Sequence, residues 1–383
     1  MATYLTNATA LIDNSFQEGI TVELSDGVIT AVYLQQDEFT AGPNAEVFDC
    51  QHCYLVPGFI DTQVNGGGGL LFNDAPTVAT IKTIAEAHRK FGSTSILPTL
   101  ISDDLTVVKT AIEAVGQAIA EKIPGVLGIH IEGPFLNSVK KGIHDDTKFR
   151  MLDDEAIDLL SSLKNGITLV TLAPECTTPA MIEKLVKRGV IVSAGHTNGT
   201  YTDIQSSLRA GVRGFTHLFN AMSPLESRAP GAVGAALNDK DSYCGIIVDG
   251  HHVHPAALRL AEKAKGTDKL MLVTDAMSAV GTDATEFFVQ GTKVTVRGGK
   301  CIDAHGTLAG SNLNMAAAVE NTHEMMKLPL EACLQMASET PANFLGLQNS
   351  LGRIAVGYHA DLVLLSSGLR TRQTWVNGLA AHK

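Results

Sequence analysis

Most of the chain alternates short apolar runs with segments of helical periodicity. Across residues 55–349, eight runs rich in Val, Ile and Leu have the length of buried strands. Near-continuous apolar runs are typical of parallel strands that are covered on both faces. The pattern therefore predicts a (β/α)8 barrel of the TIM type over 55–349, with a β-rich insertion near 286–311. The strand candidates are residues 59–66, 93–101, 125–134, 166–175, 189–197, 213–221, 243–250 and 269–276.

An open, doubly wound sheet is the alternative arrangement for alternating strands and helices. Such a sheet usually binds a dinucleotide at a GxGxxG segment after its first strand. The glycine-rich residues 66–69 follow the first predicted strand, but they lack that spacing and the acidic residue at the end of the next strand. The barrel is therefore the better prediction, and no dinucleotide cofactor is expected.

Both ends of the chain show a different pattern, in which short β-type runs are separated by turn signals. An Asp-Gly pair at 26–27 separates two runs near the start, and an Asn-Gly pair at 377–378 separates two runs near the end. Both dipeptides favour tight hairpin turns. We therefore predict a small β-sandwich domain assembled from residues 1–54 and 350–383.

Composition and charge exclude several classes of protein. Of the 383 residues, 45% are hydrophobic and 18% are charged, which is typical of a globular chain with a large core. The formal net charge of −11 argues against binding to nucleic acids or anionic membranes, since both need basic surfaces. The N-terminal residues lack a basic region followed by an apolar stretch. We expect a cytoplasmic protein without a secretory signal and without nucleic-acid or membrane partners.

Metal-ligating and acid–base side chains occur at the carboxyl ends of four predicted barrel strands. These residues are Glu132, His196, His217 and Asp275, and each follows an apolar run. Barrel enzymes place their functional residues at these strand ends. A single buried histidine is more often a core residue than a ligand, but four such residues at equivalent positions favour a common site. Two imidazoles and a carboxylate suit Zn²⁺ or Fe²⁺ and leave positions for water and substrate.

This set of side chains indicates metal-assisted hydrolysis of a carbon–nitrogen bond. A metal ion of this kind lowers the pKa of a bound water molecule from about 15.7 toward 7. Asp275 would then take a proton from that water and return it to the leaving amine. We expect one divalent ion per subunit, with zinc as the first expectation and iron, cobalt or nickel as alternatives.

Loops beyond the strand ends supply candidate substrate contacts. His144 follows the third strand and His252 follows the seventh, and loops at these positions contact substrate in barrel enzymes. Which histidine of the DGHHVH segment faces inward stays open. The loop after the sixth strand offers Arg228 together with Asn220 and Ala221. A guanidinium and backbone N–H groups form a credible phosphate site.

Six sequence motifs follow one another in a characteristic order along nearly the whole chain. They are PGFIDTQVNG, HIEGPF, SAGHT, THLFNAM, DGHHVH and LVTDA. In order, spacing and strand placement they resemble the amidohydrolase superfamily and, within it, the family of N-acetylglucosamine-6-phosphate deacetylases. The resemblance implies Glu132, His196 and His217 as metal ligands, the same three residues reached from the strand ends. It also implies Asp275 as the catalytic acid–base residue.

The resemblance further implies the reaction and the substrate contacts. Members of that family remove the acetyl group of N-acetylglucosamine 6-phosphate, which gives glucosamine 6-phosphate and acetate. His144, next to Ile143, would lie against the acetyl carbonyl. A homodimer is also implied, and whether the Arg228 loop reaches the neighbouring subunit stays open. The remaining implied contacts with the amino-sugar phosphate are Asn220, Ala221, Arg228, Asp249, Gly250, His251, His252, Leu308, Ala309 and Gly310.

One departure from the superfamily pattern concerns a second metal site. Many relatives carry His-x-His at the end of the first strand, whereas this chain has Gln63 and Asn65, which are poor ligands for a zinc-type ion. We therefore expect a single metal site, with Gln63 and Asn65 marking a vestigial second one. The fourth strand contains no lysine, and relatives that hydrolyse cyclic amides use a carboxylated lysine there to bridge two metals. Hydantoinase and dihydroorotase chemistry is therefore disfavoured.

Three alternative functions stay open to different degrees. The same hydrolysis of N-acetylgalactosamine 6-phosphate differs by one hydroxyl epimer, and the sequence does not distinguish it. Deamination of a nucleobase-like ring fits poorly with an arginine-bearing loop suited to phosphate. A barrel that only binds or assembles would usually have lost its ligands, and this chain retains the full set.

Overall fold

A parallel barrel forms the centre of the molecule, in a computed structural model that describes residues 2–35, 37 and 39–381. Within these residues, eight strands pair side by side in chain order, and all the pairs are parallel. The predicted barrel is confirmed. The strands are Phe59–Val64, Ser93–Ile101, Gly128–Glu132, Ile167–Leu172, Ile191–Ala194, Gly214–Phe215, Tyr243–Ile246 and Leu270–Leu272.

The barrel is closed near its carboxyl end and filled at its amino end. A parallel bridge joins Val64 of the first strand to Ala276 beyond the eighth, and the backbone N–H of Asn65 donates to the Ala276 carbonyl at 2.9 Å. At the other end, Phe344 from the last helix packs in one apolar cluster with strand residues such as Leu97. Ligands therefore have access from the carboxyl ends of the strands.

Each barrel strand is followed in the chain by a helix, and capping side chains fix where several helices begin. The Thr200 side chain accepts from the Asp203 N–H while the Asp203 carboxylate accepts from the Thr200 N–H, which forms a capping box.

No helix in the described part of the chain has the length and apolar character needed to cross a membrane. The α-helices are Val78–Arg89, Leu105–Ala120, Asp154–Leu160, Pro179–Lys187, Tyr201–Arg209, Gly231–Asn238, Pro255–Lys265, Met315–Asn321, Leu330–Ala337 and Glu339–Leu345, with short helical turns at Ser138–Lys140, Asp146–Lys148, Pro174–Cys176 and Thr322–Met326.

Both ends of the chain contribute strands to a second, mostly antiparallel sheet. The two predicted turns are tight hairpins, with left-handed backbone at Asp26 (φ 51°) and Asn377 (φ 49°). Phe48 packs edge-on against Trp375 with ring centroids 5.2 Å apart, although their strands are not neighbours, so the sheet curves around its own apolar core. This confirms the small β-sandwich built from both termini. Its strands are Thr3–Ile12, Ser15–Ser25, Val28–Tyr33, Glu46–Asp49, Tyr54–Pro57, Leu362–Leu365, Thr371–Val376 and Leu379–Ala380.

The division of the chain at residues 54 and 350 stays a prediction. The terminal sheet includes strands as far as Pro57 and again from Leu362. Some residues of the predicted domain ranges lie outside the described residues, namely Met1, Gln36, Glu38, His382 and Lys383.

The insertion after the eighth barrel strand forms an antiparallel sheet that is fixed to the top of the barrel. The Ser311 N–H donates to the Asp275 carbonyl at 2.8 Å, and the Met277 N–H donates to the Ser311 carbonyl at 3.0 Å. Buried side chains of the insertion, including Val294, share an apolar cluster with Ile101 at the end of the second barrel strand. The insertion strands are Glu286–Val289, Thr292–Arg297, Lys300–Ile302 and Leu308–Ser311, and a further two-stranded ribbon is formed by Gly66–Gly67 and Leu70–Leu71.

Gly128, which opens the third barrel strand, has no room for a side chain. A Cβ atom there would overlap the backbone of Ile167, its partner in the neighbouring strand. Because the paired backbones cannot separate without losing ladder hydrogen bonds, we expect Gly128→Ala to lower the free energy of unfolding by about 3 kcal/mol. Urea denaturation measures this loss. Gly42→Ala is the control, since no atom lies within 4 Å of a Cβ at Gly42; equal stability of the two variants would contradict the prediction.

Candidate metal centre and active site

Three side chains from separate strand ends meet at the carboxyl end of the barrel. Nε2 of His217 lies 2.9 Å from Oε1 of Glu132, and Nε2 of His196 lies 3.3 Å from the same oxygen. The two histidine nitrogens are 3.1 Å apart. All three residues are buried, and their ligand atoms lie within 4.8 Å of one another. The structure thus brings together the three residues that the sequence predicts as metal ligands.

The backbone turns sharply at the strand ends that carry these side chains. His196 (φ 47°), His217 (φ 34°) and Asp275 (φ 52°) all have left-handed backbone conformations. Such conformations are uncommon for residues with a side chain, and they cluster at functional sites, where surrounding contacts hold them. The three side chains line the cavity from turns just beyond the strands, whereas Glu132 lines it from a regular strand.

The donor set fits a divalent metal ion. Nδ1 of His196 lies 2.8 Å from the carbonyl oxygen of Lys140. Since a carbonyl oxygen only accepts, Nδ1 carries the proton and the Nε2 lone pair faces the cluster, which is how protein partners orient metal-binding histidines. Three electron-rich atoms so close together repel one another unless a cation or a proton lies between them. Nitrogen and carboxylate donors in this arrangement suit zinc and its neighbours in the first transition row.

Within the cluster, Glu132 and His217 shift each other's pKa values toward the charged forms. Burial alone would raise the pKa of the Glu132 carboxyl, but the hydrogen bonds and charges of His196 and His217 hold that pKa well below its usual range. Burial likewise opposes protonation of His217, yet the contact with Glu132 raises the pKa of that imidazole. The site therefore keeps Glu132 ionised, and an ionised carboxylate is the form that binds a metal ion.

Asp275 lies beside the cluster with a carboxylate held by two amide side chains. Nδ2 of Asn65 donates to its Oδ1 at 2.7 Å, and Nε2 of Gln63 donates to the same oxygen at 3.1 Å. Burial, together with the negative charge of Glu132, raises the pKa of Asp275 to about 6. A carboxylate with a raised pKa is a stronger base than an ordinary aspartate, which suits proton transfer near neutral pH.

Gln63 and Asn65 occupy the positions where many amidohydrolases carry His-x-His. The Gln63 amide also donates to Glu132, at 3.2 Å and 3.1 Å from its two carboxylate oxygens. Both amides therefore present N–H groups to carboxylates. The vestigial second metal site at Gln63 and Asn65 stays a prediction.

A cavity of about 460 Å³ opens directly above the cluster, a size typical of sites for small molecules. His144 and His252 both line it. Nδ1 of His252 bonds to the Asp249 carboxylate at 2.7 Å, which fixes the orientation of the ring. The lining residues are Asn65, Ile101, Glu132, Val139, Lys140, Gly142, Ile143, His144, His196, His217, Asn220, Ala221, His252, Asp275, Met277, Gly306, Thr307, Leu308 and Gly310.

Several predicted substrate contacts lie outside this lining. Arg228 is exposed on the loop after the sixth strand, away from the cavity of its own chain. His251 bonds through Nε2 to the carbonyl of Gly298 in the insertion. Ala309 is buried in the apolar cluster below the insertion. The Asp249 carboxylate bonds to the His252 ring, and Gly250 follows Asp249 in the chain. The roles predicted for these residues stay predictions.

Several residues that line the cavity are not predicted from the sequence, notably Ile101, Val139, Met277 and Thr307. Apolar side chains at strand ends carry no signal that distinguishes a cavity wall from a core. Lys140 contributes its backbone carbonyl to His196, and a backbone contact is independent of residue type.

His130 lies two residues before Glu132 on the same strand and is outside the cluster. Its Nε2 lies 2.8 Å from the Thr171 hydroxyl and its Nδ1 lies 3.3 Å from the Thr99 hydroxyl. Burial lowers the pKa of His130 to about 4, so the ring stays neutral. His130 supports the floor of the site.

Fold and site together define a parallel barrel with a buried metal-binding cluster of one glutamate and two histidines at its carboxyl end. The amidohydrolase family model matches residues 54–380, and the chain belongs to this family. The resemblance drawn from the motifs is confirmed.

Relatives within the family are similar over almost their entire length. The chain is 45% identical to an N-acetylgalactosamine-6-phosphate deacetylase of Shewanella sp. (strain ANA-3), covering 97% of this chain and 94% of the relative. It is 37% identical to an N-acetylglucosamine-6-phosphate deacetylase of Haemophilus influenzae, covering 92% of each. The crystal structure of N-acetylglucosamine-6-phosphate deacetylase from Pasteurella multocida superposes with a TM-score of 0.95 at 38% identity, over 99% of both chains.

Metal binding can be tested on the purified protein by elemental mass spectrometry. Loaded with zinc, the protein is expected to hold about one ion per chain. His217→Ala removes one of three protein ligands and should lose most of that ion. His305→Ala, at an exposed histidine of the insertion, is the matched control and should bind like the parent. Failure of the parent to bind stoichiometric zinc, iron, cobalt or nickel would contradict the assignment.

Proposed function

We propose that the protein is a metal-dependent deacetylase of N-acetylglucosamine 6-phosphate that releases acetate and glucosamine 6-phosphate. The observation that carries this proposal is the convergence of Glu132, His196 and His217 under one cavity, with Asp275 at its edge. The named activities of its relatives in Haemophilus and Pasteurella support the choice of substrate. The reaction breaks the amide bond between the acetyl group and the sugar nitrogen.

Glu132, His196 and His217 would hold one divalent ion, zinc in the first instance. When bound, such an ion supplies Lewis acidity, which brings the pKa of a water molecule from about 15.7 toward 7. Asp275 removes a proton from the attacking water and later delivers it to the departing sugar nitrogen. The position of Asp275 beside the cluster and its raised pKa support both steps. The amides of Gln63 and Asn65 keep its carboxylate oriented.

His144 donates a hydrogen bond to the acetyl carbonyl as negative charge develops there. Its ring is buried at the cavity wall with its centroid 4.4 Å from that of His196, so a carbonyl above the cluster is within its reach. A fixed donor aimed at a developing oxyanion stabilises the transition state more than the ground state.

Asn220, Ala221 and His252 line the cavity and would hold the sugar phosphate. Leu308 and Gly310 also line it and would contact the sugar. Arg228 of the same chain is exposed, which supports a homodimer in which this guanidinium binds phosphate in the partner's cavity. A cytoplasmic location completes the proposal.

Hydrolysis of N-acetylgalactosamine 6-phosphate is a second candidate function. The Shewanella relative, at 45% identity, bears the name of that activity. The two substrates differ only in the orientation of one hydroxyl group, so the proposed chemistry is the same for both.

A direct assay with both sugar phosphates tests the function. We expect acetate release from N-acetylglucosamine 6-phosphate with the higher kcat/KM, and the unphosphorylated sugar should react poorly because the phosphate contacts are lost. A higher kcat/KM for the galacto epimer would select the second candidate. Ammonia release, or no acetate from either compound, would refute deacetylation.

Asp275→Asn tests the acid–base role. The amide cannot accept and return a proton, so we expect kcat to fall by about 10²–10⁴ while zinc content and substrate binding persist. Asp283→Asn, at an exposed carboxylate of the segment before the insertion, is the matched control with unchanged kcat. Near-normal turnover by Asp275→Asn would refute the role.

A further inference from the structure

We propose that Ser102 and Gln290 are positioning residues that fix the ring of His144 with its Nε2–H group available to the cavity. The inference rests on the proposed role of His144 as a donor to the substrate carbonyl. It also assigns a role to the β insertion, because Gln290 lies in the turn between its first two strands.

The contacts of His144 define which ring nitrogen carries the proton. Nδ1 lies 3.3 Å from the backbone nitrogen of Ser102 and 2.8 Å from the Ser102 hydroxyl. A backbone N–H can only donate, so Nδ1 must be the accepting nitrogen. In the neutral ring the proton is then on Nε2, the only remaining position from which the ring can donate to a ligand.

Ser102 itself is held tightly between two barrel strands. The Ser102 hydroxyl lies 3.5 Å from the carbonyl of Glu132. A Cβ atom on residue 133 would overlap the Ser102 hydroxyl, so Gly133 leaves the space that Ser102 needs. The serine thus packs against the strand end that carries Glu132, and its one hydroxyl proton is donated to Nδ1 of His144.

Gln290 links the segment of Ser102 to the loop of His144. Its Nε2 donates to the Ser102 carbonyl at 2.7 Å, and its Oε1 accepts from the Asp145 N–H at 3.2 Å. The carbonyl only accepts and the N–H only donates, so the orientation of the amide is determined. The amide nitrogen thus bonds to the residue that contacts Nδ1 of His144, and the amide oxygen bonds to the residue that follows His144 in the chain.

Apolar packing supports the same connection. Val289, next to Gln290, is buried in a cluster that also contains Ile101 and is packed by Ile143. These two isoleucines directly precede Ser102 and His144 in the chain. The insertion therefore fixes both segments by side-chain packing as well as by hydrogen bonds.

The position and tautomer of His144 matter because a hydrogen bond to a developing oxyanion depends on direction. A ring protonated on Nδ1 would turn the Nε2 lone pair toward the carbonyl oxygen, and the two lone pairs would repel. Small displacements of a catalytic group cost rate even when the fold is intact. If Ser102 and Gln290 only stabilised the loop, their loss would lower the free energy of unfolding, and any effect on kcat would not depend on the presence of His144.

A double-mutant cycle with Gln290→Ala and His144→Ala separates these two roles. We expect His144→Ala to lower kcat about 100-fold and Gln290→Ala to lower it about tenfold, with KM within about twofold of the parent. In the His144→Ala background, Gln290→Ala should lower kcat by less than about twofold, because its effect acts through that ring. Thr292→Ala, exposed in the same hairpin, is the matched control.

Unchanged kcat in Gln290→Ala, or an equal loss with and without His144, would overturn the proposal. Gln290→Glu provides a second variant of similar shape, which keeps the acceptor toward Asp145 and loses the donor toward Ser102. It should show the same dependence on His144. Zinc content and thermal denaturation confirm that each variant is folded.

The tautomer can be observed directly, independently of activity. In zinc-loaded protein with ¹⁵N-labelled histidine, two-bond proton–nitrogen correlation should show His144 as the Nε2–H form, assigned by comparison with His144→Ala. A second tautomer should appear in Gln290→Ala and in Ser102→Ala. The Nδ1–H form in the parent, or one unchanged tautomer in all variants, would overturn the proposal. Absence of deacetylase activity in the parent would refute the proposed function alone, since this spectrum still tests the network.

Discussion

The close approach of Glu132, His196 and His217 is the constraint on which the rest of the site depends. Their ligand atoms lie within 4.8 Å of one another in a buried position, where charge is weakly screened. Only a rigid scaffold can hold such a group before a cation binds. The barrel provides it through parallel hydrogen-bond ladders, and His196 and His217 lie on left-handed turns just beyond two of its strands. Strain at these turns is balanced by burial and backbone contacts around them.

The amide of Gln63 lies between the two carboxylates of the site, those of Glu132 and Asp275. This side chain donates to both Glu132 and Asp275, so it screens the repulsion between them while allowing their pKa values to diverge. The pKa of Glu132 falls because histidines surround it, whereas burial raises that of Asp275 to about 6. Two carboxylates with different environments can thus serve different roles, one binding a metal and the other moving protons.

The sequence predicts the barrel and the positions of the key side chains well, because both follow from local patterns. Apolar runs mark the strands, and a polar residue that ends such a run lies at the carboxyl end of the barrel whatever the details of packing. Glu132 and Asp275 are examples. The supporting contacts are different in kind. Gln290 meets Ser102 across 188 positions of the chain. No periodicity encodes such a pair, and the exposure of Arg228 depends on a loop path that residue types do not determine.

The insertion shows how an element without catalytic side chains can still belong to the active site. Its last strand bonds to the backbone at Asp275, and its first hairpin turn bonds to both segments beside His144. Asp275 and His144 therefore share one small sheet as their support, although they follow different strands of the barrel. Any movement of that sheet would displace both groups together relative to Glu132 and His217, which lie at or just beyond the ends of barrel strands that do not contact it through these bonds. The insertion thus supports Asp275 and His144 together, while Gln63 and Ser102 connect these two residues to Glu132.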